Sequence, residues 1–173
     1  MIRFDLVTTK TGDGGRSSDY SGRTDWKDAP VFELLGELDE LGSWLGVCRH
    51  LGRGRKELET CQRILLRIGA LVATDPADER YSTLVPVDEA ALEALEQWEA
   101  ELMTRTTLKP VFVLAGGTRK SAWVDVSRTV CRRAERTAVA FVRAQNRPDL
   151  APSSRWLNRL SDALFVLARN YEG

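Results

Sequence analysis

The 173-residue chain balances 25 Lys and Arg against 25 Asp and Glu, a formal net charge of zero. That excludes the general cationic surface by which proteins bind nucleic acid or membranes. With 43% apolar and 29% charged residues, the chain has the makings of one soluble domain with a real core. No run approaches the eighteen apolar residues of a membrane span. The first thirty residues lack a secretory or transit signal, so a cytoplasmic location is expected.

The first notable segment is Thr8-Thr9-Lys10-Thr11-Gly12-Asp13-Gly14-Gly15-Arg16-Ser17-Ser18. Three glycines in four positions let backbone N–H groups converge on an anion. Lys10 and the hydroxyls of Thr9, Thr11, Ser17 and Ser18 add donors. The spacing is not that of a P-loop, and no apolar strand leads into it. By itself it reads equally as an ordinary glycine-rich turn.

Five helical segments follow, with no convincing sheet. The first runs from about Ala29 to Arg49, with Leu34, Leu38, Leu41, Leu45 and Cys48 on its apolar face. The second spans about Arg55 to Thr74. A polar loop from Asp75 to Pro86 leads to Asp88, which fits the N-cap of a third helix ending near Arg105. Phe112-Val113-Leu114-Ala115-Gly116-Gly117 is a short apolar run that leads into the fourth helix, Thr118 to about Arg143. Asn146-Arg147-Pro148 breaks that helix, and Pro152 and Ser153 open the fifth, to about Tyr171. Long helices with short links predict an all-α bundle. Cys48, Cys61 and Cys131 fall in helical patterns and read as buried thiols. His50 sits at a helix end, and Trp44, Trp98, Trp123 and Trp156 sit at core or interface positions.

On the fourth helix Arg128, Arg132 and Arg136 recur every four residues and form one cationic stripe. Like charges at that spacing repel by roughly 0.2–0.5 kcal/mol per exposed pair. The stripe therefore asks for an anion, either phosphate or carboxylates from another helix, both of which suit the planar guanidinium fork. A solvated face with Glu135 as counter-ion is the plainer reading of the same residues.

Taken together, the Thr-Gly-Asp-Gly-Gly loop, Gly36-Glu37-Leu38-Asp39-Glu40-Leu41, Arg128 to Arg136, and Asn158-Arg159-Leu160-Ser161-Asp162-Ala163-Leu164-Phe165 resemble the PduO-type ATP:cob(I)alamin adenosyltransferases, in order and spacing, over nearly the whole chain. The resemblance implies a single-domain five-helix bundle, residues 29–173, behind a nucleotide-binding segment, residues 1–28, assembled as a homotrimer with sites between subunits. It implies transfer of the 5′-deoxyadenosyl group of ATP to the cobalt of cob(I)alamin, with Mg²⁺ accompanying the ATP. By motif, Thr9, Lys10, Thr11, Gly12, Asp13, Gly15, Ser17, Ser18 and Lys27 embrace the triphosphate. Arg128, Arg132, Glu135, Arg136 and Asn158 complete the nucleotide site from the neighbouring subunit. Asp39 pairs with Arg128 across the interface, and these two with Arg132 form the implied catalytic set. Phe112 and Gly42 line the corrin side. Glu135 is read equally as a ligand near Mg²⁺ and as a structural partner of Arg132. Asp162 is read as a helix-tethering acceptor and Arg169 as structural.

The implied partners are a flavin-dependent reductase and an adenosylcobalamin-dependent enzyme. Three positions depart from the family pattern: Gly42 for Asn, Ala115 for Pro, and Asp125 for His. Asp125 is expected to compete with phosphate for Arg128. The chain ends at Gly173, so no C-terminal tail is expected to close the site. These departures motivate a second reading, a non-catalytic ATP- or cobalamin-binding escort or sensor on the same fold.

Overall fold

The structure is a computed structural model that describes residues 8–108 and 110–173. Among these residues are five α-helices: α1 (Pro30–Arg49), α2 (Arg55–Val72), α3 (Glu89–Met103), α4 (Arg119–Ala144) and α5 (Ala151–Asn170). Local chemistry sets their ends. Pro30 opens α1, where its missing N–H has no helical acceptor to lose. Asp88 caps α3 by accepting the Ala91 N–H at 2.9 Å. Thr118 and Ser121 cap α4 reciprocally. Asn146 in a left-handed conformation, φ 50°, turns the chain between α4 and α5.

The expectation of no sheet is corrected. Two three-residue strands, β1 (Arg16–Ser18) and β2 (Thr24–Trp26), form an antiparallel hairpin with Ser17 opposite Asp25. Polar side chains hold it: Ser18 Oγ lies 2.8 Å from Thr24 Oγ1, and the Arg16 guanidinium sits 5.1 Å from the Trp26 ring centroid. Its turn is tied to the end of α2 by the Tyr20 N–H on the Ala73 carbonyl (2.8 Å) and by Arg23 on Asp75 (2.7 Å). The polar loop after α2 also contains a short 3-10 helix, Glu79–Thr83. Buried Arg147 fastens this loop region by donating to the Leu71 and Thr74 carbonyls and to Asp149, which accepts from Tyr81.

The bundle packs α3 on α5, α5 on α4, α4 on α1 and α1 on α2. Helix α5 is the core element: Trp156, Leu157, Leu160, Ala163, Leu164 and Leu167 are completely buried. Trp98 is buried as well, while Trp44 and Trp123 stack at 5.6 Å on a half-exposed surface. Cys48, Cys61 and Cys131 are buried free thiols, and His50 caps the C-terminus of α1.

Candidate functional site

The glycine segment folds as two tight turns. The Asp13 N–H bonds to the Lys10 carbonyl and the Gly15 N–H to the Gly12 carbonyl, and Thr9 Oγ1 and Thr11 Oγ1 lie 2.9 Å apart. Gly15 needs to be glycine because its φ is +76°. Gly12 is small for a different reason: a Cβ there would lie 2.8 Å from Lys27 Nζ. The Lys27 N–H in turn bonds to the Gly15 carbonyl at 2.9 Å. The hairpin thus returns Lys27 across the loop and lays its ammonium over Gly12. Lys10, Thr11, Asp13 and Ser18 are exposed around it, with Ser17 half-buried.

On α4 the arginines separate into two groups. Arg133 is consumed internally, holding Glu37 (2.7 Å) and Glu40 of α1. Arg132 and Arg136 are exposed. Among the described residues neither guanidinium meets a carboxylate, and Arg136 reaches only the Arg132 carbonyl. Glu135 is not a partner of Arg132: its carboxylate accepts from Asn158 Nδ2 at 2.9 Å, joining two residues that the sequence assigned separately to the nucleotide site. Asp162 accepts from Arg159 at 3.1 Å, a pair within α5 that ties no second helix.

Arg128 and Arg132 open onto a cavity of about 380 Å³ that also includes Ser161, Phe165, Met103 and Leu108. The Ser161 hydroxyl is buried there without a hydrogen-bond partner. Glu99 lies at the same cavity, and burial, reinforced by the charge of Asp162, raises its pKa. The sequence reading did not assign Ser161 or Phe165 to a site. Their signal was spacing: Ser161 lies three residues past Asn158 and Phe165 four further on, a single helical face.

Asp39 and Gly42 lie together on a separate groove of about 450 Å³ between α1 and α2. A Cβ at Gly42 would meet nothing within 4 Å, and its carbonyl accepts from Gln62 at 2.7 Å. Asp39 is exposed. Within one chain the carboxylate facing Arg128 is Asp125, at 3.5 Å. Asp125 is 4% exposed and spends its other oxygen on Arg169 (2.5 Å) and the Gly116 N–H (3.0 Å). It is therefore a structural anchor first and faces Arg128 with one oxygen only. Phe112 stands fully exposed on the loop between α3 and α4. No hydrogen bond or ion pair among the described residues joins the glycine loop to Arg128, Arg132 or Arg136.

Fold and site define a helical-bundle protein with two separate sets of exposed cationic groups, Lys10 and Lys27 at the glycine loop and Arg132 and Arg136 on α4, and no Ser-His-Asp or Cys-His constellation among the described residues. The model of the cobalamin adenosyltransferase family matches residues 7–171, and the chain belongs to that family. It is 37% identical over 168 residues to a corrinoid adenosyltransferase of Citrobacter freundii, covering 94% of this chain and 93% of that protein. It is 35% identical over 174 residues to the corrinoid adenosyltransferase MMAB of Homo sapiens, covering 96% and 69%. Among solved structures, a variant of the PduO-type ATP:corrinoid adenosyltransferase from Lactobacillus reuteri, complexed with cobalamin and ATP, superposes with a TM-score of 0.85. The sequence identity there is 31%, covering 96% of this chain and 93% of that one.

Proposed function

We propose that this chain transfers the 5′-deoxyadenosyl group of ATP to the cobalt of a cob(I)alamin substrate and releases triphosphate. The observation that carries this reading is the match, over 96% of the chain, to a structure holding cobalamin and ATP together. The site chemistry agrees with it. In the reaction the Co(I) electron pair attacks the ribose C5′, a Co–C bond forms, the C5′–O bond breaks, and the triphosphate leaves with that bonding pair. No protein nucleophile is needed. The protein contributes position and charge.

In this reading the loop from Thr9 to Ser18 and Lys27 hold the triphosphate. Arg132 and Arg136, with Asn158 oriented by Glu135, hold it from the other side. Arg128, paired across the interface with Asp39, borders the corrin side with Phe112 and Gly42. Among the described residues no hydrogen bond or ion pair joins the two sets of groups within one chain, which supports a site shared between subunits of a homotrimer. Mg²⁺ accompanies the nucleotide. Among the described residues no cluster of three or more His, Cys, Asp or Glu is arranged to hold a metal. One carboxylate, Glu135, fits an ion bound mainly by phosphate oxygens and water; the ion would neutralise charge on the departing triphosphate. No helix among the described residues is long and apolar enough to cross a membrane. In this reading the enzyme works in the cytoplasm, is fed by a flavin-dependent reductase and serves an adenosylcobalamin-dependent enzyme.

The test is anaerobic turnover with Mg²⁺-ATP and cob(I)alamin, following loss of the Co(I) spectrum and the phosphate product. Adenosylcobalamin with stoichiometric triphosphate is expected. Tight binding of ATP with neither product would replace this reading with that of an escort or sensor.

A further inference from the structure

The segment between α3 and α4 carries Phe112 but has little packing of its own. Phe112 and Leu114 are 108% and 91% exposed, and Val111 63%. A chain this free samples many conformations unless its ends are fixed, at about 1–2 kcal/mol of backbone entropy per residue ordered. Both ends are fixed here, and by the same element, the last turn of α5 and the residues just past it.

At the start of the loop, Asn170 Nδ2 donates to the Arg105 carbonyl (3.2 Å) and to Thr106 Oγ1 (3.0 Å). At its end, the Gly117 N–H donates to Glu172 Oε1 (3.1 Å) and Thr118 Oγ1 to the Tyr171 carbonyl (3.3 Å). The Gly116 N–H donates to Asp125 Oδ2 (3.0 Å). Glu172 lies so close that a Cβ on Gly117 would be 2.8 Å from Oε1. Arg169 ties the two carboxylates together, its Nη2 2.5 Å from Asp125 and 3.0 Å from Glu172. Arg169 and Asp125 are 7% and 4% exposed, so these charge-assisted bonds are shielded from water. Asp125 also presents Oδ1 to Arg128 Nε at 3.5 Å. It therefore connects the base of the Phe112 loop with the cationic stripe.

We propose that Asp125, Arg169, Asn170 and Glu172 form a clamp that positions the Phe112 loop, so that the end of the last helix governs the corrin side of the reaction without touching the corrinoid. These four are positioning residues. The proposal rests on the reading that Phe112 faces the corrinoid. It also gives Asp125 a purpose that its departure from the family's His does not suggest.

The experiment uses the full-length protein and four variants: Glu172→Ala, Glu172→Gln, Phe112→Ala, and Glu172→Ala combined with Phe112→Ala. Glu172 lies beyond the last helix, and its loss leaves the buried Asp125–Arg169 pair intact, so the fold is retained. Amide exchange at Gly117, whose N–H loses its acceptor in Glu172→Ala, should quicken about tenfold, the worth of one hydrogen bond to a charged acceptor, while Gly116, held by Asp125, serves as the internal reference. kcat/KM for cob(I)alamin should fall about threefold to tenfold by the same argument, with KM for ATP unchanged. Glu172→Gln, which keeps an oxygen acceptor, should recover most of both effects. In the Phe112→Ala background, Glu172→Ala should cost nothing further. Unchanged exchange at Gly117 overturns the clamp. A loss that falls equally on ATP, or that multiplies with Phe112→Ala, overturns its action through Phe112. Normal cob(I)alamin kinetics in Phe112→Ala alone overturns the placement of Phe112 and the corrin half of the proposal with it, while the exchange rates decide the clamp separately.

Discussion

Gly12→Ala is the sharpest probe of the nucleotide loop, because the structure says what the added methyl would strike. An ideal Cβ at residue 12 lies 2.8 Å from Lys27 Nζ and 3.1 Å from its Cε. Gly12 is not in a left-handed conformation, so alanine adds no backbone strain, and Lys27 is an exposed, flexible side chain. The fold should therefore be unaffected and the ammonium should move by about 1 Å to restore an ordinary contact. At an effective dielectric of about 20, the attraction between two unit charges drops from about 5.5 to about 4.2 kcal/mol as they separate from about 3 to about 4 Å. The loss of about 1.4 kcal/mol is about tenfold, and solvent screening reduces it toward about threefold. Gly12→Ala should thus lower kcat/KM for ATP about threefold to tenfold at unchanged melting temperature. Lys27→Ala, which removes the charge, should lower it about tenfold to a hundredfold. In a Lys27→Ala background Gly12→Ala should have no further effect, since its target is gone. Steady-state kinetics of the two single variants and the double variant measure this coupling. Independent, multiplying losses would refute the reasoning, because the methyl would then be acting on something other than Lys27.

Arg132→Ala should lower kcat/KM for ATP about tenfold to a hundredfold without moving the melting temperature, since no carboxylate holds its guanidinium among the described residues; a matching loss of stability in thermal denaturation would mark it as structural. Gly54→Ala should destabilise by about 2–4 kcal/mol in urea denaturation, because residue 54 has φ +64° and a Cβ there would lie 2.7 Å from Trp98 Cζ2. Burial pushes the Cys61 thiol up to about 12. Above pH 9 an unfolded thiol ionises while the folded one stays protonated, so the unfolded state binds fewer protons and stability falls by about 1.4 kcal/mol per pH unit toward pH 12. Urea titrations at pH 8 and pH 10 should show a smaller drop in Cys61→Ala than in the native chain.

The sequence showed the helices because their signals are local. Asp88 and Thr118 announce their caps, Asn146-Arg147-Pro148 breaks the chain where α4 ends, and the Leu stripe of α1 is buried as its spacing predicts. The hairpin escaped because β1 and β2 have three residues each, no apolar alternation, and a stability that rests on Ser18–Thr24 and Arg16–Trp26 contacts. The candidate site residues could be named one by one from the sequence, but their pairings could not. Glu135 sits one turn from Arg132, yet it bonds Asn158 on another helix. Asp125 sits one turn from Arg128, yet its shorter bonds go to Arg169 and Gly116. Spacing along one helix ranks neighbours on that helix; the rotation of one helix against the next decides between them and the partner on the other side. Ser161 and Phe165 were passed over for the same reason, since on α5 a face that borders a cavity has the same period as a face that borders the core.

The chain has as many acids as bases, and several of its arginines spend their charge on holding the fold together. Arg133 is held by Glu37 and Glu40, Arg159 by Glu96 and Asp162, Arg49 by Glu59, and Arg169 by Asp125 and Glu172. Apart from Arg159–Asp162, which lies within α5, each of these pairs joins two helices or fastens a helix to the segment beside it. Arg132 flanks Arg133 on the same helix, and Arg136 follows one turn later, yet among the described residues neither meets a carboxylate. A solvated cationic face would be expected to take a counter-ion at (i, i+4) wherever helix surface allowed it, since each such pair is worth about 0.2–0.5 kcal/mol. Glu135, the acid best placed for that purpose, is instead turned to Asn158. Arg16, Arg53, Arg55, Arg67, Arg105, Arg119 and Arg143 also meet no carboxylate among the described residues, so it is the four-residue spacing of two exposed guanidinium groups and the cavity beside Arg132 that support a polyanion arriving from outside the subunit. That arrangement also makes the salt dependence of ATP binding a property of two arginines, which should flatten in Arg132→Ala as ionic strength is raised.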